Sequence, residues 1–202
     1  MTTTKRRQTP SQTVGPFFAY GLTPAQYGYP FKNLLSGDLA GDLTEGERIR
    51  LIGRVLDGED KPVNDALVEI WQANAHGRYR QPPDGRLDNR NDPDFSGFGR
   101  CGTGTDSDAR FIFDTIKPGA IGDGHAPYLN VILTMRGLLN HLFTRIYFDD
   151  EAAANAEDPI LALIPTERRS TLLAHRGLAT TGSVYHFDIY MQGPKETVFF
   201  DV

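Results

Sequence analysis

The chain has 202 residues, one cysteine and a formal charge of -5. That length suits one good-sized domain with decorations. The acidic balance leaves no basic footprint for nucleic acid, and a lone Cys101 allows no intrachain disulfide framework. The longest apolar stretches, "YLNVILTM" and "DPILALIP", fall well short of a membrane span, and the start "MTTTKRRQTPSQTVGPFF" has charge but no apolar core of a secretory signal. A cytoplasmic enzyme subunit or binding domain is the expectation.

Residues 1–46 carry Thr, Pro, Gly and aromatics with no sustained period. They read as an arm. Phe17, Phe18, Tyr20, Tyr27, Tyr29 and Phe31 are more aromatic surface than a freely solvated tail carries. Such an arm packs either on its own core or on a partner chain.

From Glu47 onward the pattern is β. "ERIRLIGRVLD" alternates loosely and ends in the turn "DGEDKPV". "ALVEIWQAN" puts Leu67, Glu69 and Trp71 on one face and Val68 and Ile70 on the other. A long polar loop, "AHGRYRQPPDGRLDNRNDPDFSGFGR", follows, and a loop of that length in a compact domain is usually functional. "ARFIFDTIKPG", "PYLNVILTM" and "HLFTRIYFD" read as strands. A helical interlude runs from "DEAAANAEDPILALI" through "TERRSTLLAHRG", with Thr166 as a cap, Glu167–Arg169 in the first turn and Gly177 as the stop. "SVYHFDIYMQG" and "ETVFFDV" close the chain as strands. Short strands with regular turn signals predict an all-β fold: an antiparallel β-sandwich over 47–202 with an N-terminal arm, long loops and a short helical insertion.

One strand poses a question. In "YLNV", Tyr128 and Asn130 share a face, a spacing at which two histidines would hold a metal. Elsewhere, His76, His125, His141, His175 and His186 form no spaced metal cluster. Cys101 beside Arg100 has either a lowered pKa or the character of a plain buried thiol, and the second is favoured. The carboxylates of "DGRLDNRNDPD" do not follow an EF-hand spacing.

"TPSQTVGPFF", "VEIWQANAHGRYR", "FSGFGR", "FIFDTIKPG", "TRIYFDD" and "ETVFFD", in this order, resemble the intradiol ring-cleavage dioxygenases over nearly the whole chain. Iron-binding chains of that family hold Fe(III) with two tyrosinates and two histidines. Carried over, the positions are Tyr79, Ile121, Tyr128 and Asn130, so three of four ligands are lost. Isoleucine has no donor atom, and asparagine is a weak neutral ligand for a hard ferric ion. The resemblance therefore implies a chain without metal of its own, working in an obligate hetero-oligomer whose beta subunit holds the iron. It further implies intradiol cleavage of protocatechuate with O2, giving 3-carboxy-cis,cis-muconate. This chain would supply substrate contacts from its arm, at Thr13, Gly15 and Pro16, and from Arg136. Glycine leaves room for a flat ring, proline stiffens the arm, and a guanidinium can hold the substrate carboxylate by two parallel bonds. The alternatives are a non-catalytic β-sandwich module and a self-sufficient homodimer with iron on Tyr79 and Tyr128.

Overall fold

The computed structural model describes residues 8–15, 17–80, 92, 94–177 and 182–201. Its strands are β1 (Arg48–Leu56), β2 (Leu67–Gln72), β3 (Phe98–Gly102), β4 (Arg110–Ile116), β5 (Tyr128–Thr134), β6 (Leu142–Phe148), β7 (Leu173–Gly177), β8 (Ser183–His186) and β9 (Ile189–Tyr190). Short helices are α1 (Phe18–Leu22), α2 (Ala152–Glu157) and α3 (Pro159–Leu163), with 3-10 turns at Pro24–Tyr27 and Thr166–Leu172.

The strands form where alternation lets one face bury. In β1, Ile49 and Leu51 are buried between exposed Arg48 and Arg50. The turn after β1 closes because the Asp57 carboxylate accepts from the N–H groups of Glu59 and Lys61, at 2.8 and 3.0 Å. Strand order is β3-β2-β5-β6-β7-β8-β1-β4, with β9 beside β1. Strand β7 pairs with β6 at one end and with β8 at the other, linking two halves. Inward residues of both halves meet in one core: Val68, Ile70, Leu129 and Val131 with Leu51, Phe111, Phe113 and Tyr185. Each large side chain buried there contributes ~1.5–3 kcal/mol before entropy is counted. A smaller cluster of Tyr128, Tyr147, Leu161, Ile164 and Leu172 lies on the other face of β5 and β6, joined to α3.

The sandwich expectation holds, but the sheet is mixed. β1 pairs in parallel with β8 and β9, and β6 with β7. A parallel pair needs a long crossover. Residues 149–172, which carry α2, α3 and the second 3-10 turn, are the crossover for β6 and β7.

Four local expectations change. The end of the long loop, Phe98–Gly102, is strand β3, paired with β2. The helix expected to run to Gly177 stops at Leu172, and "LAHRG" is β7, because Leu173 and Ala174 find ladder partners in Tyr147 and Phe148. Pro165, not Thr166, precedes that last 3-10 turn. "ETVFFDV" forms no strand among its described residues, only a bridge from Phe200 to Phe143.

The arm touches its own sandwich. Gln26 Nε2 donates to the Gly102 carbonyl at 2.6 Å, and the Gly102 N–H donates to Gln26 Oε1 at 3.0 Å. Leu39 is buried in the core and its N–H donates to Asp114 O at 2.9 Å. In contrast, Phe17, Phe31 and Leu34 remain exposed at 76%, 66% and 96%.

Candidate functional site

Arg136 sits in the turn that ends β5. Gly137 there has φ +92, a conformation that favours glycine. Its N–H donates to Thr13 Oγ1 at 2.8 Å. This contact ties the arm to the Arg136 turn, so two regions 124 residues apart share one edge. Space beside Gly15 is open, with no atom within 4 Å of where a Cβ would stand. Pro16 lies outside the described residues. Arg136 is 54% exposed, and its Nε donates to the Asp65 carboxylate. Among the described residues, no hydrogen-bond partner meets its terminal nitrogens.

The four ligand-equivalent positions are also brought together. Gly77, at φ +72, turns the chain where a Cβ would strike Ala120 O at 1.9 Å. The Asn74 side chain accepts from the N–H groups of His76 and Arg78, both at 3.0 Å, and fixes the turn that presents Tyr79. The Tyr79 ring packs against Trp71 at 4.4 Å between centroids. Asn130 Nδ2 donates to Tyr79 Oη at 3.0 Å and to Trp71 O at 3.3 Å. Tyr128 is buried under the Arg145 guanidinium, 4.1 Å from its ring centroid. Ile121 packs on the cluster that contains Tyr128.

These residues do not fit a ferric ion. Burial, and then the neighbouring Tyr128 hydroxyl, push the Tyr79 phenol well above its ordinary range. The Asn130 amide already occupies a lone pair of that phenol. Ile121 offers nothing, and a guanidinium beside Tyr128 repels a second cation. Burial opposes the charge of Arg145, but Tyr147, Tyr128 and the Asp158 carboxylate outweigh it and raise its pKa.

Asp158 organises this corner and was not singled out from the sequence. Its fully buried carboxylate caps α3 by accepting from the N–H groups of Ile160 and Leu161, each at 2.9 Å. It also accepts from Ala126 N at 3.0 Å and from the Tyr147 hydroxyl at 3.2 Å, and lies 3.3 Å from His125 Nδ1. Burial raises its pKa, yet these donors outweigh burial and hold it below the usual carboxylate range. The signal was present in "EDPI": Asp before a Pro at the first helical position is an N-cap signature. A second omission is the Glu69–Arg100 pair, 2.6 Å apart and mostly buried, which joins β2 to β3.

The remaining candidates are structural. His76 pairs with Glu45 and His175 with Asp149 at the surface. Burial raises the Cys101 thiol above its ordinary value, so no reactive thiolate forms there. Most of the acidic loop lies outside the described residues. Its Asp92 and Asp94 carboxylates accept from Glu45 and Leu43 N–H groups. No helix among the described residues is long and apolar enough to cross a membrane.

The family profile described as "Dioxygenase" matches residues 31–137. The protocatechuate 3,4-dioxygenase alpha chain of Burkholderia cepacia is 54% identical over the whole of both chains. The beta chain of the same enzyme from that organism is 39% identical, over 80% of this chain and 75% of its own. Among solved structures, the intradiol ring-cleavage dioxygenase of Tetranychus urticae superposes with a TM-score of 0.62 at 18% identity, covering 92% of this chain and 94% of that one. With a family profile over more than half of the chain and full-length identity of 54% to one relative, the chain belongs to the intradiol ring-cleavage dioxygenase family.

Proposed function

We propose that this chain is the iron-free alpha-type subunit of a protocatechuate 3,4-dioxygenase. In this reading it completes the substrate pocket of an iron-bearing beta subunit in a cytoplasmic hetero-oligomer. The observation that carries it is the Thr13–Gly137 hydrogen bond, which holds the arm against the Arg136 turn. Identity to alpha chains and a donor set unfit for iron support the same reading.

The arm, residues 1–46, packs partly on the partner. Exposed Phe17, Tyr29, Phe31, Leu34 and Leu43 form more apolar surface than a lone soluble chain usually leaves uncovered. An obligate interface buries above about 1,200 Å². Ferric iron on the beta subunit supplies the activation of the catechol ring toward O2. Cleavage between the two hydroxyl-bearing carbons puts both oxygen atoms into 3-carboxy-cis,cis-muconate.

This chain contributes position. Asp65 holds Arg136 Nε and aims the fork at the substrate carboxylate. The open space at Gly15 admits the flat ring, and the arm closes the pocket to water. Positioning supplies at most a fraction of the ~7–11 kcal/mol seen in favourable intramolecular reactions.

The test is oxygen uptake with protocatechuate by each chain alone and by the co-expressed pair. Activity confined to the pair is expected. A beta chain fully active by itself would reduce this chain to a structural module.

A further inference from the structure

The register across four strands places Phe98 opposite Trp71, Trp71 opposite Asn130, and Asn130 opposite Arg145. Directly opposed residues share a face, so these side chains form one row on the outer side of the sheet. Ile132 opposite Phe143 starts the next row. Above them Phe200, Ile160 and Asp201 complete a cavity of about 330 Å³. That is the size of a small-molecule site, and its walls are mainly aromatic and aliphatic.

Its cation has no direct ion pair among the described residues and reaches the Asp158 carboxylate through the Tyr147 hydroxyl, which donates to it at 3.2 Å. Arg145 is half-buried, donates to Tyr147 Oη at 3.3 Å and stacks on Tyr128. No described carboxylate lies within ion-pair distance of it. Asn130 spends its amide donors on Tyr79 and Trp71 O, so Arg145 is the group with donors to offer. Its other N–H donors have no acceptor among the described residues, and a carboxylate would take them with two parallel bonds. Asp201, exposed at the rim, disfavours a second negative charge.

We propose that this cavity binds a single-ring aromatic monocarboxylate, with the ring against Trp71, Phe98 and Phe143 and the carboxylate on Arg145. The proposal does not depend on the reading of Arg136 or on ring cleavage.

Equilibrium dialysis of benzoate against the assembled protein counts bound molecules per copy of this chain. Arg145→Gln removes one of them, and so does Ile132→Trp, which fills the cavity while leaving the charge. Benzyl alcohol, which keeps the ring and loses the charge, binds about tenfold more weakly or worse. Should Arg145→Gln fail to fold, Ile132→Trp decides. An equal benzoate count in wild type and in every folded variant overturns the proposal, as does the absence of saturable binding.

Discussion

The Gly137 N–H donates to Thr13 Oγ1 at 2.8 Å, and the residue beside that glycine is Arg136, held by Asp65. One side chain thus couples the arm to the turn that carries the proposed substrate cation. Removing the acceptor with Thr13→Val should loosen the arm without unfolding the sandwich, since a single exposed hydrogen bond is worth ~0.5–1.5 kcal/mol. Hydrogen exchange at the Gly137 amide should quicken by about tenfold, with the core amides unchanged.

Arg136→Ala in the assembled enzyme should raise KM for protocatechuate by about tenfold to a hundredfold, the range for one hydrogen-bonded charge. Catechol lacks the carboxylate and should change much less. Arg136→Lys should recover only part, because an ammonium cannot form the fork. Equal losses for both substrates would mean that Arg136 holds an interface.

Metal analysis of the purified single chain should find far less than one iron per chain, with no tyrosinate colour. Tyr79→Phe in the assembly should leave iron content unchanged, since the Tyr79 phenol is engaged by the Asn130 amide and has Ile121, which carries no donor atom, at the matching position. A stoichiometric loss of iron would refute this.

Asp158→Ala should cost about 2–4 kcal/mol in chemical denaturation, combining a lost cap with unpaired donors in a dry corner. Asp158→Asn should recover part of it, because its amide oxygen still accepts. An effect under about 0.5 kcal/mol would show that water substitutes freely for the carboxylate.

Acid should unfold the chain partly through Asp106. Arg110 beside it holds its carboxyl down at about 2, against ~3.9 in an unfolded chain. A depressed folded pKa contributes stability that is present above the unfolded value and lost as pH falls toward the folded one. Denaturation midpoints should therefore fall between about pH 4 and 2, and less steeply in Asp106→Asn. Asp158 acts in the same direction. Identical profiles for wild type and Asp106→Asn would contradict the assignment.

Much of this was legible in the linear chain. Alternation in "ALVEIWQAN" and "YLNVILTM" assigned faces correctly: Val68, Ile70, Leu129 and Val131 point inward, and Trp71 and Asn130 outward. That Ile121 has no donor atom and Asn130 only a neutral one is a property of residue type and needs no fold. Strand β3 was hidden because "FGRCG" has two glycines and an arginine, and its ladder with β2 supplies what propensity does not. The strand "LAHRG" continued a helical pattern until Tyr147 and Phe148 offered it a parallel edge.

The sequence by itself determined the strand faces and the family, because alternation and motif order are local properties. The tertiary structure alone decided three things: that Thr13 meets Gly137, that five groups converge on Asp158, and that Arg145 lies in one row with Asn130, Trp71 and Phe98. Each depends on the register between segments far apart in the chain. For the row on the sheet, a one-residue slip of a strand would turn its side chain to the other face, and no local pattern encodes the register that prevents it.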